Sequence, residues 1–342
     1  PNEKRVGVTP NGVKSLLQAG FDVTIERDST RAISIESYSG AQVAGTGDWR
    51  SAPKEAIIIG LKELPEEITP LHHRHIMFGH AFKDQPDGQK LLERFQAGGG
   101  TLYDLEYLTD DTGRRVAAFG YWAGYAGAAV AIKSWAAAQK GNICQPLQTF
   151  ASAKDLNADV ASDLGKKNPN VIIIGANGRV GSGAQDFCAA LGASVTCWDI
   201  EETAHGGPFP EILDHDIFLN CILANKNTPV FVPKKAKIGP RKLMVIGDIA
   251  CDPGSFYSPI KVYDCATSWE KPALRVHKDK ILDITAIDNL PSLLPRESSE
   301  DFAAQLLPHL MMLQEIEKGV WGKACAIFNE YISRTNAAKS QS

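Results

Sequence analysis

The chain has 342 residues, long enough for two domains of ordinary size, since domains commonly hold about 100–200 residues. Hydrophobic residues make up 44% and charged residues 22%, a balance that excludes a disordered or low-complexity protein. With 36 basic and 40 acidic side chains the net charge is −4, so no nucleic-acid surface or anionic-membrane surface is expected. No apolar run approaches the roughly 20 residues of a membrane span either.

The predicted elements alternate from the start. A helix ending near Gly20, with Asn11 as its cap and Val13, Leu16 and Leu17 facing inward, leads to a strand at 21–25. Further strands are predicted at 56–61, 75–80 and 101–104. Fully apolar strands separated by helices imply a parallel sheet covered on both faces. A long Ala-rich helix follows Phe119 and runs to about Gln139, and a mixed stretch at 141–170 carries no assigned element.

At 171–174 the run Val-Ile-Ile-Ile delivers the chain to Gly175-Ala-Asn-Gly178-Arg179-Val180-Gly181, and a short strand at 195–198 ends at Asp199. Strand, glycine turn, helix and terminal acid form the layout of a dinucleotide-binding βαβ unit. The glycines let backbone N–H groups approach a pyrophosphate at a helix N-terminus. The spacing is G-x-x-G-x-x-G, one residue longer at its start than the usual pattern, and a structural βα turn is the alternative. Asp199 suits a ribose diol and repels a 2′-phosphate, which favours NAD over NADP. Strands at 216–220 and 243–246 continue the unit. The chain from Ser298 on reads as helical, with Ser298 as a cap and Pro308 as an interruption. The fold class is therefore α/β, two Rossmann-like domains with parallel-sheet cores and an interdomain cleft.

Several polar groups look like neither core nor plain surface. Arg5 precedes Thr9-Pro10 at a strand-to-helix loop, Lys62 and Glu63 follow the strand at 56–61, and His80 and Lys83 follow the next. In open parallel sheets ligands bind beyond the carboxyl ends of strands, so Lys62 and His80 fall on the edge where chemistry sits. Solvated loop charges and a satisfied loop histidine are the alternative. His72, His73 and His75 read as surface residues without metal-ligand spacing, and no metal is expected. Seven cysteines without a C-x-x-C read as buried, reduced thiols. With no signal-peptide pattern, a cytoplasmic setting follows. Nothing in the pattern sets an oligomeric state.

The strings Glu-Lys-Arg-Val-Gly-Val-Thr-Pro at 3–10, Gly-Leu-Lys-Glu at 60–63 and His-Ala-Phe-Lys-Asp-Gln at 80–85 occur in order. So do Leu-Tyr-Asp-Leu-Glu at 102–106, Arg-Arg-Val-Ala-Ala-Phe-Gly at 114–120 and Leu-Pro-Ser-Leu-Leu-Pro-Arg-Glu at 290–297. Through them the chain resembles the NAD-dependent, lysine-forming saccharopine dehydrogenases, relatives of alanine dehydrogenase and of the transhydrogenase NAD-binding subunit. In that family a strand precedes the Arg-x-x-x-Thr-Pro loop, whereas this sequence starts at Pro1. The resemblance implies oxidative deamination of saccharopine by NAD to L-lysine and 2-oxoglutarate, within lysine biosynthesis. It also implies a discontinuous substrate domain at 1–118 and 291–342 and an NAD domain at 119–290.

By match to the family, Lys62 is the base for the secondary amine and His80 the acid–base for imine hydrolysis. A lysine among cations titrates low and a histidine titrates in the working range. The resemblance further implies that Arg5, Arg115 and Lys83 bind carboxylates, that Glu63 and Glu106 tune the pair and bind the amine, and that Phe119 packs beside the ligand. Gly175, Gly178, Arg179, Val180, Gly181, Asp199 and Thr203 would hold NAD, with Asp288 on its nicotinamide or ribose side. A related alanine or opine dehydrogenase, or a catalytically silent NAD-binding protein, are the other readings. The partners expected are small molecules: saccharopine, lysine and 2-oxoglutarate.

Overall fold

The structure, a computed structural model, describes residues 3–62, 64–65, 67–82 and 86–339. Glu63 and Lys83 lie outside the described residues. The chain divides into two compact units, Pro1–Ala118 with Ser299–Ser342, and Phe119–Ser298. Residues 291–298, expected in the first unit, are thus counted with the second. Among the described residues no helix is long and apolar enough to cross a membrane.

The first unit opens with α1 (Pro10–Gln18), capped by Thr9, whose side chain accepts from Gly12 N–H. Asn11, expected as the cap, is instead inside the helix. Pro10 takes the first helical position, where its missing N–H costs nothing. Strands β1 (Thr24–Glu26) and β2 (Gln42–Ala44) form one parallel pair. Strands β3 (Ile57–Ile59), β4 (Arg74–Met77) and β5 (Thr101–Asp104) form a separate parallel sheet in that order, with α2 (Pro86–Gly98) crossing from β4 to β5. A cavity of about 560 Å³ lies between β1 and β3 and is bordered by Arg5 and Arg31.

His73 and His75 are buried rather than on the surface; only His72 of the three is exposed. On β4 the His75 ring meets Trp49 at 5.2 Å and Phe95 at 5.4 Å edge-on, and His73 Nε2 lies 3.0 Å from Ala52 O. Local sequence read these rings as polar, but their aromatic faces fill the layer beneath α2.

In the second unit α3 (Gly120–Ala138) lies in the core beside α4 (Ala153–Leu164), whose inward residues Leu156, Val160 and Leu164 recur every four positions. Their wide spacing within polar sequence hid this helix from the sequence reading. The glycine region spans β6 (Asn170–Ile174), α5 (Arg179–Ala190) and β7 (Ser194–Trp198), and short α6 (Ile200–Thr203) follows. The sheet continues with β8 (Ile217–Asn220), β9 (Val245–Asp248), β10 (Leu274–His277) and β11 (Leu282–Thr285), in the order β10-β11-β9-β8-β6-β7. All pairs are parallel except β10 with β11. The β10–β11 hairpin escaped prediction because Arg275 and Asp283 interrupt its apolar pattern. In the fold they satisfy each other through two hydrogen bonds of 2.8 and 2.9 Å.

Helices α3 and α5 touch backbone to backbone. A Cβ on Gly124 would stand 1.8 Å from Val180 O, and one on Gly183 1.9 Å from Tyr121 O, so only glycine permits this approach. The last helices are α7 (Pro295–Leu310) and α8 (Gly319–Lys339). Ser298, expected as a cap, lies inside α7 and donates its hydroxyl to Pro291 O at 2.7 Å. Pro308 does not stop α7 at once; the helix ends two residues later, at Leu310.

Candidate functional site

The register of the first unit's three-stranded sheet places Ile59, Ile76 and Tyr103 on one row. Lys62, His80 and Glu106 lie three or four residues past that row. They therefore emerge together at the carboxyl edge of neighbouring strands, where parallel sheets present ligands. The ladder extends beyond the strands through Phe78 N–H to Leu61 O at 3.3 Å and Leu105 N–H to Met77 O at 2.9 Å, which steadies these loop starts.

His80 Nδ1 lies 3.1 Å from Glu106 Oε2, with both side chains about a quarter to a third exposed. His80 has φ +48°, a left-handed conformation uncommon for a residue with a Cβ, and such strain clusters at functional positions. Beneath the pair stands Asp104, 1% exposed, whose Oδ1 accepts from Glu106 N–H at 3.0 Å. Burial raises its pKa, and hydrogen bonds from the Glu106 and Gly79 N–H groups only partly oppose this. The sequence reading missed Asp104, because an acid at a strand end gives no signal until its burial is known. A second cavity, of about 610 Å³, is bordered by His80, Asp87, Lys90 and Arg94.

The Arg5 loop runs beside β3: a Cβ on Gly7 would lie 3.8 Å from Gly60 O. The Arg5 side chain is 5% exposed and its fork closes on Glu3, with Nε to Oε1 at 2.8 Å and Nη2 to Oε2 at 2.6 Å. Burial would raise the Glu3 pKa, but the bonds and charge of Arg5, aided by the charge of Lys62, hold it below the usual value. Arg5 and Lys62 therefore share one neighbourhood. Arg115, exposed, pairs across a bridge with Thr109 in the hairpin that follows Glu106, and Phe119 stands half-buried just before α3.

In the second unit β6 is flanked by β7 on one side and β8 on the other. This is a switch point, the place where open α/β sheets leave a crevice at their carboxyl edge. Gly175 takes φ +88°, and its N–H is held by Trp198 O at 2.9 Å. A Cβ on Gly181 would stand 2.2 Å from Gly175 O, so glycine is required where helix meets turn. Gly178 begins α5 with extended dihedrals and no side-chain cap, which leaves the helix N-terminus at Arg179, Val180 and Gly181 suited to an anion. Asp199 caps α6 in a reciprocal box with Glu202, and its Oδ2 accepts from Asn177 N–H of the glycine turn at 2.8 Å. The Thr203 hydroxyl donates to Asp199 O at 2.8 Å. Asp288 is exposed just beyond β11. The sequence reading also passed over Ile200 and Leu223, large apolar residues 79% and 82% exposed at the ends of β7 and β8. These features fit a dinucleotide: a close backbone approach, an uncapped helix start, an acid at the second strand's end and apolar surface on either side.

The family model for the alanine dehydrogenase/PNT N-terminal domain matches residues 1–126. Among solved structures, an L-alanine dehydrogenase superposes with a TM-score of 0.67 at 20% identity, covering 92% of this chain and 87% of its own. The transhydrogenase from Sinorhizobium meliloti gives 0.65 at 18%, covering 94% of each. These two share the fold. A saccharopine dehydrogenase [NAD(+), L-lysine-forming] from Candida albicans is 42% identical over 363 residues, covering 98% of this chain and 95% of that protein. The protein of the same name from Candida glabrata is 43% identical over 353 residues, with the same coverage. The chain belongs to the saccharopine dehydrogenase family. This saccharopine dehydrogenase homologue thus carries Lys62, His80, Glu106, Arg5 and Arg115 on its first unit. The glycine turn, Asp199, Thr203 and Asp288 stand on its second.

Proposed function

We propose that the protein oxidatively deaminates saccharopine with NAD and water, giving L-lysine, 2-oxoglutarate, NADH and a proton. The observation that carries this reading is the family membership over 98% of the chain. NAD, when bound, takes up the hydride from the glutamyl α-carbon. In this reading the backbone N–H groups at Gly178, Arg179, Val180 and Gly181 hold its pyrophosphate, and Gly175 makes room for it. The Asp199 carboxylate and Thr203 hold the adenosine ribose, and Asp288 faces the nicotinamide end. Ile200 and Leu223 offer apolar cover to the adenine.

Lys62 takes the proton from the secondary amine as the carbon–nitrogen double bond forms. His80 removes a proton from water as it adds to that imine, and returns one to the lysine nitrogen as the carbinolamine collapses. The Glu106 carboxylate, 3.1 Å from Nδ1, supports this by keeping the proton there and leaving Nε2 as the basic nitrogen. Arg115 and Arg5 bind substrate carboxylates, Arg5 by exchanging Glu3 for the ligand. Lys83 adds a third cation, Glu63 contacts the substrate amine and Phe119 packs against the carbon chain. We also place the protein in the cytoplasm, since its seven free cysteines, with Cys197 and Cys265 exposed, suit a reducing compartment.

The test is NADH consumption with lysine plus 2-oxoglutarate, beside pyruvate plus ammonia. Turnover with the first pair supports the reading. Turnover only with the second would make the protein an alanine dehydrogenase, and turnover with neither would leave a silent NAD-binding protein.

A further inference from the structure

Asp248 ends β9 and is 2% exposed. Ile174, Asn220 and Asp248 occupy one register row at the sheet's carboxyl edge, the row that immediately precedes Gly175. The two Asp248 oxygens are engaged by different partners. Asn220 Nδ2 donates to Oδ1 at 2.9 Å, and the Tyr263 hydroxyl donates to Oδ2 at 2.5 Å. Burial pushes the carboxyl pKa up, while the bonds from Tyr263, Asn220 and Cys251 N–H oppose it. A charge so placed is costly unless all its lone pairs are met, and the fold alone does not demand it. Two residues earlier on β9, Ile246 fills the same layer with an apolar side chain. The arrangement carries a second cost. The Asn220 amide is turned so that its Nδ2 serves Asp248, and its buried Oδ1 has no hydrogen-bond partner among the described residues.

The carboxylate holds the turn that follows β9. Ile249 N–H bonds to Asn220 O at 3.1 Å, and Cys251 takes φ +48°, left-handed for a residue with a Cβ. On one side of this turn the β8 exit closes on the glycine turn, since a Cβ on Gly175 would meet Ile222 Cγ2 at 2.6 Å. On the other side the Asp288 charge acts on Cys251, whose thiol is already raised by burial. The turn is thus bracketed by the two ends assigned to the cofactor.

We infer that Asp248, through Asn220 and Tyr263, is a positioning residue for NAD that fixes the 249–251 turn as the floor of the cofactor site between the glycine turn and Asp288. This rests on the reading that the second unit holds NAD. The carboxylate touches no reacting atom; it sets the backbone on which the cofactor lies.

The experiment measures NAD and NADH binding to the full chain by calorimetry, with thermal unfolding and steady-state kinetics alongside, for the wild type, Asp248→Asn and Tyr263→Phe. Asp248→Asn keeps the shape but offers only one acceptor oxygen. With one of the two bonds that hold the turn lost, NAD should bind about 10-fold more weakly or worse. The KM for 2-oxoglutarate should stay within about 2-fold, a split that general unfolding would not produce. Tyr263→Phe keeps the charge and removes one donor, so it should weaken NAD by a smaller factor; if Asp248→Asn does not fold, this variant decides. NAD affinity unchanged in both variants while the unfolding temperature falls would overturn the inference and leave a purely structural network. Failure of the wild type itself to bind NAD would overturn the cofactor reading, and the inference with it.

Discussion

His75 offers a quantitative test of how the first unit is built. Its ring is 1% exposed, packed between Trp49 and Phe95, and Nε2 has no hydrogen-bond partner among the described residues. Burial, then the charges of His73 and Arg94, depress its pKa from 6.5 to about 4. The folded protein refuses a proton that the unfolded chain accepts between those values. The stability is therefore complete above about pH 6.5 and is lost as pH falls toward about 4. At about 1.4 kcal/mol per pH unit the full loss is about 3 kcal/mol, most of which is already gone at about pH 4.5. His75→Leu fills a similar volume and does not titrate. Urea unfolding followed by tryptophan fluorescence should therefore show the variant gaining about 2–3 kcal/mol on the wild type between about pH 7.5 and about pH 4.5. Trp49, with its ring 5.2 Å from His75, makes the unfolding of this unit visible. Equal acid losses in the two proteins would refute the argument, because the histidine would then be titrating freely in the fold.

The remaining predictions concern the chemistry. Asp199→Asn, which retains the α6 cap, should narrow the preference for NAD over NADP with little change in stability, whereas Asp199→Ala should also lose about 1 kcal/mol of capping; cofactor kcat/KM ratios and thermal unfolding check this. Lys62→Met and His80→Gln should each lower kcat about 10²–10⁴-fold and remove one limb of the pH–rate profile while NAD still binds; full activity in either would make that residue a bystander. Arg115→Ala should weaken 2-oxoglutarate and saccharopine by about 2–5 kcal/mol and NAD hardly at all, with lysine rescuing only in part. Arg5→Ala should do the same and in addition destabilise the first unit, since it strands the Glu3 carboxylate; equal losses of NAD and substrate binding would mark both arginines as structural.

Strand, glycine turn and helix at 170–190, the acid at 199 and the long helix after 119 were legible in the sequence because their causes are local. A run of isoleucines needs cover, a tight turn at φ > 0 favours glycine, and a helix start leaves N–H groups without intrahelical partners, whatever surrounds them. The family strings carried the candidate site residues in the same way, as fixed spacings along the chain. Tertiary structure alone decided the rest. The alternation of a strand is the same whichever neighbour it pairs with, so the order β10-β11-β9-β8-β6-β7 and the switch point at β6 depend on contacts between distant segments. Arg275 and Asp283 look like breaks in a pattern until the hairpin pairs them. His80 and Glu106, 26 residues apart, meet only because β4 and β5 lie side by side. The burial of His75, Asp104 and Asp248 arises from packing that no single segment encodes, and for an ionisable group burial decides its proton affinity.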